Sequence, residues 1–292
     1  MRLATILHNN SHAIASIDAE GQTARKLVSA GGEAIADMTT LIERFDTVKN
    51  ALQFESQAIP FAQLQFAAPI QRPRRNIMCV GKNYFEHAHE FTRSGFDSSA
   101  SKPADAVPSA PIVFTKMPET VVASGVPMGF PGACEQLDYE AELGVIIGKG
   151  GLGIDKANAM SHVFGYVIIN DLTARDLQAK HKQWFLGKSF ETSCPMGPWI
   201  GTADELDGAN LNLKCWVNGE LRQNANSKDL IFDIPTLIET LSAGFPLLPG
   251  DIIATGTPVG VGIGFNPPRF LQSGDKVDIE IDGLGRLSNS VR

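Results

Sequence analysis

The stretch Asp138-Tyr-Glu-Ala-Glu-Leu-Gly-Val-Ile-Ile147 decides how this chain is read. Side chains two apart on a strand share a face, so a strand from Tyr139 to Ile147 is expected to carry Glu140 and Glu142 side by side. The same strand runs on into Gly144-Val-Ile-Ile147, which belongs in a core. Neighbouring carboxylates on a buried strand repel one another and lose hydration, costing several kcal/mol per ion if nothing compensates. A divalent cation removes that cost; the plain alternative is an edge strand with two solvated glutamates. A second apolar run, Phe164-Gly-Tyr-Val-Ile-Ile-Asn-Asp171, also ends in an acid. Asp171 therefore offers a third oxygen ligand, leaving positions of an octahedral Mg²⁺ or Mn²⁺ for water and substrate oxygens. No Cys/His cluster competes as a zinc site.

Outward from these acids, Arg175 and Gln178 lie four and seven residues past Asp171, so on a helix they share the face of Asp171. Lys188 follows in Gly187-Lys-Ser-Phe190. Together they are cationic and amide donors suited to a carboxylate-bearing substrate, or else an ordinary solvated helix face. Upstream stands Tyr84-Phe-Glu-His87-Ala-His89-Glu90. One helical turn joins His87 to Glu90, and a carboxylate that orients an imidazole makes a water-activating base. His89 points elsewhere on such a helix and reads as surface.

The 292 residues are 43% hydrophobic and 20% charged, an ordinary globular composition long enough for a small domain plus a larger one. Lys+Arg 25 against Asp+Glu 32 gives a net charge of −7, which disfavours nucleic acid and anionic membrane as partners. The longest apolar runs fall far short of a bilayer span, and Met1 to Ala13 lacks the apolar core of a signal peptide. The 4 cysteines form no CxxC pair and read as reduced thiols of a cytoplasmic protein. Short strands (Arg2 to Leu7, Ala13 to Asp18) and a helical period from Ile35 to Leu52 mark an N-terminal domain over 1–70. Phe66 to Arg75, with two prolines and three arginines, reads as a linker into a domain over 71–292. There, strands are expected at Asn76–Val80, Ile112–Thr115, Tyr139–Ile147, Val163–Asn170, Leu211–Val217, Asp251–Ala254 and Val277–Ile281. Hairpins are expected at Asn218-Gly219 and Asp282-Gly283, helices over 155–161, 173–182 and 234–243, and a long loop over 91–111. The fold class is α+β and strand-dominated. Gly148-Lys-Gly150-Gly-Leu-Gly153 matches a dinucleotide fingerprint in letters only, because the alternating βα units that such a fold requires are missing.

Taken together, Val80-Gly-Lys-Asn-Tyr-Phe-Glu-His87 with Glu90, Leu137 to Gly148, Gly165 to Asp176, Lys188-Ser-Phe190, Cys194-Pro-Met-Gly-Pro198, Val217-Asn-Gly-Glu220 and Leu248 to Pro258 resemble the fumarylacetoacetate hydrolase family. The likeness is to its shorter members, which act on acylpyruvates and related oxo-acids. It implies a mixed β-sandwich roll with a small N-terminal α+β domain, usually as a homodimer. It also implies Glu140, Glu142 and Asp171 as ligands of Mg²⁺ or Mn²⁺, and His87 with Glu90 as the dyad on a mobile lid. Lys188, Tyr84, Arg175, Gln178 and Thr257 then match positions that hold the substrate or its developing charge. The activity expected from the resemblance is metal-dependent C–C hydrolysis of a 2,4-dioxo acid to pyruvate and a carboxylic acid. The alternative is decarboxylase, isomerase or lyase work on a related oxo-acid through a metal-bound enolate. A dehydrogenase or a non-catalytic binding protein is the weaker reading.

Overall fold

The computed structural model describes residues 1–29, 31, 32, 35, 37–95 and 105–292. Of the expected 91–111 loop, residues 96–104 lie outside the described residues. Two apolar strands, Ala141–Ile147 and Val163–Asn170, form the middle of a long sheet and pair antiparallel from Ala141 opposite Asn170. Their Val, Ile and Leu content suits strands covered on both faces. Alternate side chains serve two cores. Leu143, Val145 and Ile147 pack towards a separate four-stranded sheet, while Ile146 packs on the opposite side with Leu41 and Ile42. This period of two places Glu140 and Glu142 on the Ile146 side.

From edge to edge the long sheet runs Gln53–Phe54, Thr23–Val28, Ser11–Asp18, Arg2–His8, Ile200–Thr202, Val163–Asn170, Ala141–Ile147, Ile252–Ala254, Ile77–Gly81 and Ile112–Lys116. The strands of the first seventy residues thus continue the sheet of the rest, through Leu3 opposite Ile200 and Tyr166 opposite Gly201. Helix α1 (Met38–Val48) covers this junction, with Phe45 edge-on to Phe164 at 5.0 Å. It starts later than the apolar period because the Asp37 carboxylate accepts from the Thr39 and Thr40 amides and caps it there. The remaining α-helices among the described residues are α2 (Phe85–Arg93), α3 (Arg175–His181), α4 (Phe185–Lys188) and α5 (Ile234–Gly244).

The four-stranded antiparallel sheet is ordered Glu220–Asn226, Asn212–Val217, Lys276–Ile281, Gly285–Ser290. Its first hairpin turns on Asn218-Gly219 with φ of 52° and 81°, the left-handed pair that a two-residue turn needs. Three sequence expectations change. The strand expected from Tyr139 begins at Ala141, because Leu137–Asp138 pairs separately with Thr173–Ala174. That pairing also delays the 173–182 helix to Arg175, so Asp171 lies before the helix rather than on its face. The 155–161 segment is a 3-10 turn, so the GxGxxG stretch leads into no α-helix. All four cysteines are buried and free, and among the described residues no helix is long and apolar enough to cross a membrane.

Gly165 makes the junction possible: a Cβ there would run into the Gly201 carbonyl of the paired strand. Gly165→Ala is expected to cost about 1–3 kcal/mol in urea unfolding, as overpacking does. Gly244→Ala, where a Cβ meets nothing within 4 Å, is expected to change stability by less than about 1 kcal/mol. Equal midpoints for the two variants would contradict the close strand pairing.

Candidate active site

Because Ala141 pairs with Asn170, the start of one central strand lies beside the end of the other, and Glu140, Glu142 and Asp171 converge. One carboxylate oxygen from each lies within 4.8 Å of the others, and all three residues are buried. Glu140 and Asp171 have cationic partners. Lys188 Nζ is 2.7 Å from both Glu140 Oε2 and Asp171 Oδ2. Arg175 Nη2 is 2.7 Å from Glu140 Oε1, and Lys116 Nζ is 2.7 Å from Asp171 Oδ1. Glu142 differs: its Oε2 accepts from the Gly256 amide at 2.9 Å, and among the described residues no cation pairs with it.

Electrostatics separate the two glutamates. Burial alone raises the Glu140 carboxyl, but Lys188 and Arg175 outweigh it and bring it down to about 2. Burial, then the charges of Asp171 and Glu140, push Glu142 well above the usual carboxylate range. The cluster therefore has room for one more positive charge, and its donors are hard oxygens. It can bind a divalent cation of the Mg²⁺ or Mn²⁺ type.

Around the acids, α3 and α4 bring in the donors. Arg175 donates through Nε to Asp138 Oδ2 at 2.9 Å and through Nη1 to Gln178 Oε1 at 3.2 Å. Burial works against the Lys188 ammonium, yet Asp171 and Glu140 hold it above the ordinary lysine range. Opposite them, α2 carries the dyad, with His87 Nδ1 at 3.0 Å from Glu90 Oε2 and both side chains buried. Glu140, Glu142, Arg175, Gln178, Lys188, His87 and Thr257 line one cleft, together with an aromatic wall of Phe91, Phe114 and Trp184.

Two expected site residues sit differently. Tyr84 lies outside the cavity lining; it precedes α2 and bridges to Leu230. Thr257 does line the cavity, but its hydroxyl donates to the Ala141 carbonyl at 3.0 Å and accepts from Gln223 Nε2 at 2.8 Å. Three contributors escaped the sequence reading. Lys116 is wholly buried behind Asp171 and also donates to the Leu172 carbonyl at 3.1 Å. Asp138 orients Arg175, and the turn after Thr257 holds Glu90, whose Oε1 accepts from the Gly260 amide at 3.0 Å. A lysine closing an apolar strand and three alternating glycines were the available signals.

With this geometry in place, comparison with known proteins decides the family. Residues 76–292 match the model for the fumarylacetoacetate (FAA) hydrolase C-terminal domain. The chain belongs to the fumarylacetoacetate hydrolase family. It is 51% identical over 232 residues to the oxaloacetate tautomerase YisK of Bacillus subtilis, covering 79% of this chain and 74% of that protein. To the mitochondrial oxaloacetate tautomerase fahd2 of Xenopus laevis it is 41% identical over 248 residues, 84% of this chain and 74% of that one. Among solved structures it is similar to maleylpyruvate hydrolase from Sphingobium sp. SYK-6 in complex with manganese(II) and pyruvate. There the TM-score is 0.78 and the identity 30%, over 100% of this chain and 98% of that one. The strand-dominated fold and the family resemblance of the sequence both hold, and the chain is an enzyme of this family.

The raised Glu142 carboxyl sets a pH dependence. Without metal, the folded chain keeps a proton that the unfolded chain releases in the ordinary carboxylate range. The stability gained from it is full below that range and is lost as pH rises towards the folded value. A bound cation displaces that proton, so metal binding strengthens with pH. The rise in melting temperature on adding a fixed Mn²⁺ concentration is therefore expected to be larger at pH 8 than at pH 6. Glu142→Gln should remove the Mn²⁺ response at both; a full response in that variant would exclude Glu142 as a ligand.

Proposed function

We propose that this chain is an oxaloacetate tautomerase, moving a proton between C3 and the C2 oxygen to interconvert the enol and keto forms. The observation that carries the reading is His87, held by Glu90 at 3.0 Å and lining the same cleft as Glu140, Glu142, Arg175 and Lys188. The tautomerase names of the relatives at 51% and 41% identity support the isomerase alternative over C–C hydrolysis. Hydrolysis of an acylpyruvate is the second reading, favoured by the likeness to the maleylpyruvate hydrolase.

In this reading Glu140, Glu142 and Asp171 hold the cation, taken as Mg²⁺ or Mn²⁺. When bound, it supplies Lewis-acid charge to substrate oxygens. The chain's own residues do the rest. Glu90 accepts at His87 Nδ1 and so fixes the ring, which leaves Nε2 as the nitrogen that takes and returns the C3 proton. Arg175 and Gln178 present N–H donors to a substrate carboxylate; Asp138 fixes Arg175, and Arg175 in turn holds the Gln178 amide oxygen. The Lys188 ammonium, fixed between Glu140 and Asp171, places positive charge beside the oxygen that becomes anionic as the proton leaves. Phe91, Phe114 and Trp184 exclude bulk water, which strengthens these interactions and protects an enol from side reactions. A keto–enol transfer then needs only one proton exchanged with solvent at the C2 oxygen. Hydrolysis needs, in addition, an attacking water.

The test follows the loss of enol-oxaloacetate by its ultraviolet absorbance with Mg²⁺ or Mn²⁺ present, alongside pyruvate and CO₂ release. Accelerated enol loss with the carbon skeleton intact is the expected result. His87→Ala should slow it by about 10²–10⁴-fold, the usual worth of a positioned acid–base group. Pyruvate formed from an acylpyruvate, with no effect on the enol, would replace the tautomerase by the hydrolase.

A further inference from the structure

Alternating glycines Gly260-Val-Gly262-Ile-Gly264 follow Thr257, and each meets a different anchor. Asp138 holds the turn from below: Oδ1 accepts from the Gly262 amide at 2.6 Å and Oδ2 from the Ile263 amide at 3.0 Å. The Tyr139 hydroxyl donates to the Gly260 carbonyl at 2.8 Å. The intervening side chains, Val261 and Ile263, are buried in one cluster with Phe91 of α2 and Trp184. On the same side the Gly260 amide donates to Glu90 Oε1 at 3.0 Å, while the other oxygen of Glu90 faces His87. The turn therefore grips α2 twice, by apolar contact at Phe91 and by an amide at Glu90.

Gly264 is the tightest point. A Cβ built there would fall on the Glu90 carboxyl group, with Oε1, Cδ and Cγ as its three nearest atoms. Its backbone is not the reason for glycine. Gly260 has φ 104°, whereas Gly264 lies in a 3-10 turn and is absent from the left-handed glycines. Alanine is conformationally allowed at Gly264, so a methyl group there acts only by displacing the carboxylate.

We infer that the Gly260–Gly264 turn is the seat that positions Glu90, and that Gly264 is a positioning residue for the His87–Glu90 pair. This rests on the acid–base role proposed above for that pair. Asp138 joins the seat to the substrate side of the cavity, since the carboxylate that holds Gly262 and Ile263 also receives Arg175 Nε at 2.9 Å. The orientation of the acid–base helix and that of the carboxylate-binding arginine thus share one anchor.

The experiment is Gly264→Ala in the full chain, with three readouts. The kcat for oxaloacetate tautomerisation should fall about 100-fold, the low end of losing an oriented base, with KM changed less than about threefold. Mn²⁺ affinity, measured without substrate, should be unchanged. Amide hydrogen exchange over residues 85–93 should quicken, because α2 loses its grip. In a Glu90→Ala background the same change should alter kcat less than about threefold, since no carboxylate remains to displace. Glu90→Ala alone adds no bulk and should quicken exchange at the Gly260 amide, which covers the case in which Gly264→Ala fails to fold. Unchanged exchange at 85–93 and at Gly260, or an equal loss of kcat in both backgrounds, would overturn the seat. If the wild-type chain leaves oxaloacetate untouched, the proposed reaction fails, and the exchange measurements still decide the seat.

Discussion

One charge imbalance organises this molecule: Glu142 is buried against Glu140 and Asp171 without a cation of its own among the described residues. Arg175, Lys188 and Lys116 neutralise the acids around it, and each is itself almost wholly buried. Taking so many charges out of water is costly, and replacing such a network by apolar residues often stabilises a protein. Its retention here fits a site whose remaining charge is brought by an ion. The same imbalance explains why the two glutamates, two residues apart in sequence, diverge so far in acidity.

The fold serves this imbalance by register. Antiparallel pairing of the central strands brings Glu142 and Asp171 together at one end, where helices α3 and α4 deliver the cations. A carboxylate just outside the regular strand, Asp138, then ties Arg175 to the glycine turn that grips α2. Arg175 and the His87–Glu90 pair are therefore held by one connected frame rather than by independent loops. Such preorganisation is what electrostatic stabilisation of a developing oxyanion requires.

Much of this was legible before any coordinates. Glu140, Glu142 and Asp171 stand out because acids inside or ending apolar strands conflict with burial, and that conflict is visible in the letters. His87 and Glu90 are legible through helical spacing. What was hidden depends on contacts far apart in sequence. Lys116 reaches Asp171 across 55 residues, and Gly260 reaches Glu90 across 170. At Ile112–Lys116 the only local signal is a lysine closing an apolar strand, and that does not show which acid it meets. The strand start at Ala141 rather than Tyr139 was hidden for a related reason, since Leu137–Asp138 is drawn off by Thr173–Ala174. Hydrolase and tautomerase were inseparable from motifs because both begin with a proton moved next to a polarised carbonyl.

The central claim is that the three buried carboxylates hold a divalent cation beside the acid–base pair. Crystals grown with Mn²⁺ and examined by anomalous scattering test it most directly. The account predicts one strong peak within bonding distance of an oxygen from each of Glu140, Glu142 and Asp171. Crystals saturated with Mn²⁺ that show no peak there, or a peak elsewhere with Lys188 still bridging Glu140 and Asp171, would contradict it.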